Sequence, residues 1–227
     1  KSTLKEANDA VANLILSLPI FKVWNIKENK ILSDMDGSKY KVKRKTIQAR
    51  HSKKYFGSSQ GISIMTLVAN HVALNSRVIG CNEHESYFAF DLIYHNNTDV
   101  KIDMLTGDNH SINQMNFVAL DAIDTEFTPS FASLKDQVNN LYSTRPVDEY
   151  SGFFKPKSQV DISLIKSQKR EILRVLLSLI LQHNTQATIV RKLSSHRRNL
   201  ILKKALWEYN KIFRTTHILN LINDEEL

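Results

Sequence analysis

Ile31-Leu32-Ser33-Asp34-Met35-Asp36-Gly37-Ser38-Lys39-Tyr40 decides how this chain reads, because it alternates like a strand and carries two acids on one side of a single glycine. A second decisive stretch comes about seventy residues later. The apolar run Val100 to Leu105 closes on Thr106-Gly107-Asp108, and a helical pattern opens directly after it. An acid at the carboxyl end of a strand, facing a cleft, is where open α/β sheets place their chemistry. Two such acids, Asp36 and Asp108, can share divalent metal ions for phosphoryl transfer. Aspartate also caps helices and opens turns, so from the pair alone both readings stand.

Composition narrows the class. The 227 residues suffice for one large domain or two small ones, and 42% hydrophobic with 24% charged residues describes a folded chain, not a disordered one. Cys81 is the one cysteine, so an internal disulfide and a thiolate zinc cluster are both excluded; it reads as a small buried hydrophobe. No signal peptide is visible, and the longest apolar stretch, Val175 to Leu181, is too short to cross a bilayer. The expectation is a cytoplasmic protein with no membrane partner. The absent initial methionine and the end at Asp224-Glu225-Glu226-Leu227 suggest a piece of a longer protein.

Charge points to a polyanion. The net charge is +8, and no acidic residue lies between Asp36 and Glu83, where Lys39, Lys41, Lys43, Arg44, Lys45, Arg50, Lys53 and Lys54 crowd together. Alternation in Lys39-Tyr40-Lys41-Val42-Lys43 predicts three lysines on one face of the strand, beside Asp36. A second acid-free run, Ile172 to Trp207, holds Arg174, Arg191, Lys192, Arg197, Arg198, Lys203 and Lys204. One lysine is ordinary solvated charge; two long uncompensated runs are what nucleic-acid phosphates attract.

The pattern predicts two regions, residues 1–145 and 146–227. The first opens with a helix over Thr3 to Leu18, stopped by Pro19. Strands are predicted at Ile31 to Lys45, Ser63 to Ala69, Arg77 to Cys81, Val100 to Leu105 and Thr125 to Phe131, with helices at Glu85 to His95 and Ile112 to Ile123. That gives an α/β (α+β) fold: a mixed five-stranded sheet flanked by helices. Ser151 to Val160, with Gly152, Pro156 and the pair Phe153-Phe154, reads as a linker. An all-helical region comes next, over Asp161 to Gln182, Thr185 to Ser194, Asn199 to Phe213 and His217 to Ile222. Its first helix is apolar almost all round and is expected at the buried centre. A glycine-rich phosphate loop and a dinucleotide fingerprint are both absent.

Asp36-Gly37-Ser38-Lys39-Tyr40, then Gln48-Ala49-Arg50-His51-Ser52-Lys53-Lys54-Tyr55-Phe56-Gly57 with Gly61, resembles the catalytic region of Tn-three-family transposases, enzymes of replicative, cointegrate-forming bacterial transposons. The likeness continues through Thr106-Gly107-Asp108-Asn109-His110-Ser111-Ile112-Asn113-Gln114-Met115-Asn116-Phe117, then Val190-Arg191-Lys192-Leu193, Lys204-Ala205-Leu206 and Ile222-Asn223-Asp224-Glu225-Glu226-Leu227. The motifs come in family order along almost the whole chain, which makes the set specific although each alone is weak.

The resemblance implies an RNase H-like core of the DDE class with a helical insertion before the third acid. Asp36 matches the first family aspartate and Asp108 the second; Asp34, two residues earlier on the same strand face, is the rival to Asp36. The third acid belongs to an Asn-Lys-Gly-Glu stretch that this sequence lacks, and it is expected beyond Leu227. Ser111 stands where the family has glycine. Two magnesium ions about 4 Å apart, for which manganese can substitute, are implied as cofactors, with Asp36 bridging both and Asp108 holding one. His110 either approaches the scissile phosphate or packs at a helix start. His51 and His71 are expected to be structural or to contact phosphate, and Tyr55, Phe56, Phe153 and Phe154 to pack. The implied partners are duplex DNA, both transposon ends and target, and further copies of the full-length protein. A different RNase H-like nuclease or integrase, or a non-catalytic basic DNA-binding module, are the competing functions.

Overall fold

The computed structural model describes residues 2–26, 29–44, 46–113, 115–152, 155–195 and 200–223. The chain forms two compact units, residues 1–111 and 112–227.

Unit one starts with α1 (Ser2–Leu16) and a 3-10 turn at Pro19–Trp24. The predicted spacing is there, but it does not make a core. Ala12 is buried while Leu4, Val11, Leu14 and Leu18 are exposed, and Asn8 donates to the Ala73 carbonyl, tying the helix to β4. Next come β1 (Leu32–Lys41), β2 (Arg50–His51), α2 (Lys53–Phe56), β3 (Gln60–Ala69), β4 (Val72–Gly80), a 3-10 turn at Glu85–Phe88, α3 (Ala89–Tyr94), β5 (Met104–Gly107) and a 3-10 turn at Asn109–Ser111. Central β3 runs antiparallel to β1 on one side and to β4 on the other, with β2 continuing the β4 edge opposite Gln60 and Gly61. β5 lies parallel to β1. Parallel neighbours need a long crossover, and β3, β4 and α3 supply it.

Every other residue of β3 is buried, from Gly61 to Ala69, which is the period-two signature of a sheet with one packed face. Ser33 and Met35 of β1, Leu74 of β4, Phe88, Phe90 and Leu92 around α3, and Leu105 of β5 are buried with them. Cys81 is buried as expected, its thiol donating to the Arg50 carbonyl at 3.0 Å.

Several boundaries differ from expectation for local reasons. β1 ends at Lys41, so Lys43 is off the strand in a bend, and Lys45 lies outside the described residues. Gly37 does not break β1, which runs through it in unshifted register. β5 starts only at Met104, because Asp103 first uses its carboxylate to accept the Ile31 N–H at 2.9 Å.

Unit two comprises α4 (Asn116–Asp121), the fifth strand β6 (Glu126–Phe127), α5 (Leu134–Val138), β7 (Tyr142–Ser143), β8 (Ser158–Gln159), α6 (Ile162–Ser167), α7 (Lys169–Ile180), α8 (Gln186–Ser195) and α9 (Leu200–Asn223). α4 starts later than predicted because the Asn113 side chain accepts from Met115 N and Asn116 N. The stretch expected to be a linker holds β8, which pairs in parallel with β7; Phe153 and Phe154 lie outside the described residues. The long helix expected over Asp161 to Gln182 is two, separated at Gln168. Conversely, the two expected last helices are one: Thr216 turns its hydroxyl back onto Ile212 O within the helix, and Thr215 accepts from Tyr142 N on β7, so neither interrupts it. Val118, Ile172, Ala205 and Leu206 form a core here, with Leu176, Leu202, Tyr209 and Phe213 against it. α7 is not the all-round buried centre that was expected: Leu173 and Leu177 face solvent. The architecture is nonetheless of the expected class, a mixed sheet flanked by helices with a C-terminal helical region, consistent with an RNase H-like fold.

Candidate active site

Register places the acids. In the parallel pair, Asp34 stands opposite Thr106 and Met35 opposite Gly107; one residue further along each chain come Asp36 and Asp108. Adjacent strands run about 4.8 Å apart. Ser33 and Met35 are buried and Asp34 and Asp36 exposed, so both acids stand on the open face of β1. Asp36 faces Thr66 across β3, and Asp34 faces Val68.

Each carboxylate also has a local partner. Asp36 Oδ1 accepts from Gly37 N at 2.7 Å. Asp108 Oδ1 accepts from His110 N at 3.0 Å, opening the 3-10 turn Asn109–Ser111. The same turn is closed from its far end: Ser111 Oγ and Ser111 N both donate to the Asp108 carbonyl, at 2.6 and 2.9 Å. Ser111 thus locks the turn, and it packs against Gly107, where a Cβ would meet it. The turn that occupies one oxygen of Asp108 also fixes where the other is presented.

Asp34 sits in the field of both other acids. Its carboxyl is raised above the usual carboxylate range, first by burial, which outweighs the lowering hydrogen bond from Met35, and then by the charges of Asp36 and Asp108. Although Asp34 reaches solvent, enough protein surrounds the carboxyl to desolvate it. Like charges gathered on one surface are stabilised by a cation. Hard carboxylate oxygens are the donors that suit magnesium or manganese. Among the described residues, however, no group of three His, Cys, Asp or Glu is placed to hold a metal ion. Glu225 and Glu226 lie outside the described residues, and Glu208 is engaged by Lys211 Nζ at 2.5 Å and by Asp161 N at 3.1 Å.

The basic residues are arranged differently from the expectation. Lys39 and Lys41 alternate with Asp36, so they occupy the other face of β1 and do not stand beside it. Lys39 is turned to Glu85, Nζ to Oε1 2.7 Å, and both side chains are largely buried. Tyr55 is half-exposed instead of packed, with Lys39 Nζ 4.7 Å and Lys54 Nζ 5.1 Å from its ring centre. Phe56 does pack, covering Gly61 so closely that a side chain there would overlap the ring. Arg50 spends its guanidinium on the Ile47 and Ala49 carbonyls. His51 lies on β2, and His71 meets the Trp24 ring edge-on at 4.7 Å. Lys41, Lys43, Arg44, Lys53 and Lys54 are placed in unit one; Arg191 and Lys192 lie on α8 in unit two, while Arg197 and Arg198 fall outside the described residues. Glu85 was missed by sequence reasoning: it sits in a predicted helix, and nothing in the sequence announces that it reaches β1.

The Tn3 transposase DDE domain family model matches residues 1–227. The chain is 24% identical over 225 residues to the transposase for transposon Tn4556 of Streptomyces fradiae, covering 98% of this chain and 25% of that protein. It is 23% identical over 229 residues to the transposase for transposon gamma-delta of Escherichia coli (strain K12), covering 99% and 22%. Against the transposase for transposon Tn1546 of Enterococcus faecium it is 24% identical over 202 residues, covering 86% and 20%. The chain therefore spans a quarter or less of the length of these relatives. No solved structure matches it. No helix among the described residues is long and apolar enough to cross a membrane. A match along its whole length, on a fold that sets two motif aspartates at one level of neighbouring strands, makes the chain a member of the Tn3 transposase DDE domain family.

Proposed function

We propose that this chain is the part of a transposase that carries two of its three metal-binding acids, and that the whole protein cleaves DNA and transfers strands in replicative transposition. A single observation carries the reading: the β1–β5 register that brings Asp36 and Asp108 to one level on the open face. DDE domains use divalent metal ions, and two magnesium ions, when bound, would supply Lewis-acid activation of the attacking oxygen and stabilise the leaving one. Asp36 and Asp108 are the residues that would hold them, with Asp34 lending negative charge beside them. The protein's own part is to hold those carboxylates still. β1 is fixed from both sides by β3 and β5, and the Ser111 clasp fixes the Asp108 turn.

The substrates in this reading are the duplex transposon ends and target DNA. The basic stretches contact phosphates, which position a duplex without specifying its sequence. This sequence holds no Asn-Lys-Gly-Glu stretch for a third acid, so the chain alone is not expected to cut DNA. Binding of manganese to the 227-residue chain tests the reading: amide signals of residues 34–37 and 107–110 should broaden first, and Asp36→Asn should abolish the effect. Broadening centred elsewhere, or unchanged in that variant, would remove Asp36 from the site.

A further inference from the structure

Directly behind Asp36 lies a charge pair that the proposed chemistry leaves unused. Glu85 heads the 3-10 turn Glu85–Phe88 and lays its carboxylate on Gly37, on the side of β1 away from Asp36. A Cβ on residue 37 would overlap Glu85 Cδ and both its oxygens. Glu85 Oε1 accepts from Lys39 Nζ at 2.7 Å and from Ser63 Oγ at 3.4 Å, so one carboxylate ties β1 to β3 immediately beneath the acid. The Lys39 and Glu85 side chains are 21% and 15% exposed, which keeps solvent from screening the pair. Burial alone pushes the Lys39 ammonium down; the hydrogen bond and charge of Glu85 overcome it, with Tyr55 and Asp36 adding, and the net direction is up. Lys39 is thus a fixed positive charge that already feels Asp36.

We propose that Glu85 and Lys39 are positioning residues that set how tightly Asp36 binds a divalent cation. The proposal rests on the reading of Asp36 as a metal acid. Glu85 has two effects that point the same way. It pins the Gly37 peptide, and so the backbone of its neighbour Asp36. It also neutralises an ammonium that would otherwise oppose a cation on the far side of the strand, because Lys39 lies in a largely buried pair and its charge is coupled to Asp36. Lys39 acts in the opposite sense: without it, the Glu85 carboxylate would add uncompensated negative charge behind Asp36.

The test is a manganese titration of the 227-residue chain at about pH 7.5 and low salt, reading free manganese by electron paramagnetic resonance, with thermal melts on the same samples. Glu85→Gln should weaken binding about threefold to tenfold, Lys39→Met should tighten it by a similar factor, and the double variant should return near the parent. A merely structural clasp would weaken binding in both single variants, so shifts of the same sign, or none, overturn the proposal. Where a melt shows either variant unfolded, Glu85→Asp and Lys39→Arg replace them; these keep the charges and should stay within about twofold of the parent, and a larger loss counts against the charge argument. Asp36→Asn separates the two failures. If it leaves manganese binding untouched, or if the parent binds no manganese at millimolar concentration, the reading of Asp36 falls and takes the proposal with it. If it abolishes binding while the pair has no opposite-signed effect, the proposal alone falls.

Discussion

Asp34 stands opposite Thr106 in the parallel pairing of β1 with β5, and this one register decides which acids share a level. It sets Asp36 with Asp108 and leaves Asp34 one pleat back. In the complete transposase, Asp36→Asn and Asp108→Asn should each lower strand cleavage by on the order of 10³-fold or more, the scale of losing a direct metal ligand in a site whose members act as a unit. Asp34→Asn should cost less than about tenfold, because it removes charge beside the site and not a ligand. Cleavage assays on end-sequence DNA check the ranking, and a reversed order would move the first acid to Asp34.

A Cβ on Gly37 would have to displace the Glu85 carboxylate, the end of a flexible side chain that Lys39 and Ser63 hold in place. Gly37→Ala should destabilise the chain by about 1–3 kcal/mol, as overpacking does. Glu85→Ala combined with it should recover part of that loss, since it removes the obstructing atoms. Urea titration of the two single variants and the double one measures the coupling; strict additivity would mean the two side chains do not meet.

His217 is buried in unit two, with Nε2 donating to the Pro129 carbonyl at 3.0 Å and Phe117 and Phe131 beside the ring. Burial pushes its imidazole below the ordinary histidine value, against smaller raising effects of the Pro129 bond and Glu126. The folded state therefore resists a proton that the unfolded chain accepts. Its contribution to stability is complete above the unfolded value of about 6.5 and is lost as pH falls from there through the lower folded value. Melting temperatures should fall between about pH 7.5 and pH 5, and His217→Gln should flatten the slope over that window.

DNA binding by the chain should be salt-dependent and nearly indifferent to sequence. Lys41→Glu, Lys43→Glu and Lys45→Glu together should weaken binding by a similar factor on every duplex and reduce the salt slope by about 2 to 3. Fluorescence anisotropy across a salt series reads both. An unchanged slope would show that this stretch lies off the DNA path, and attention would pass to Arg191 and Lys192 on α8.

Period, punctuation and motif are properties of the sequence by itself, and they determined the longer strands of the sheet and the family; β2, β7 and β8 are too short to leave a pattern. Alternation marked β1 and β3, the acid after the apolar run marked Asp108, and the ordered motifs marked the family along the whole chain. Composition marked Cys81 as a buried hydrophobe, because one thiol can form neither an internal disulfide nor a thiolate cluster. What only the tertiary structure decided depends on pairing between segments far apart in the chain. Lys39 comes three residues after Asp36 and reads as its neighbour, but pleating sends the two to opposite faces, and only the fold supplies Glu85 to meet Lys39 there. Asp103 shortens β5 because the Ile31 amide is close enough to bond it. The apolar spacing that predicts α1 leaves Leu4, Val11 and Leu14 exposed in unit one, since periodicity says which residues share a face and not whether anything covers it. Local chemistry is written in the order of residues; which side chains meet is fixed by register and packing, and those are properties of the whole chain.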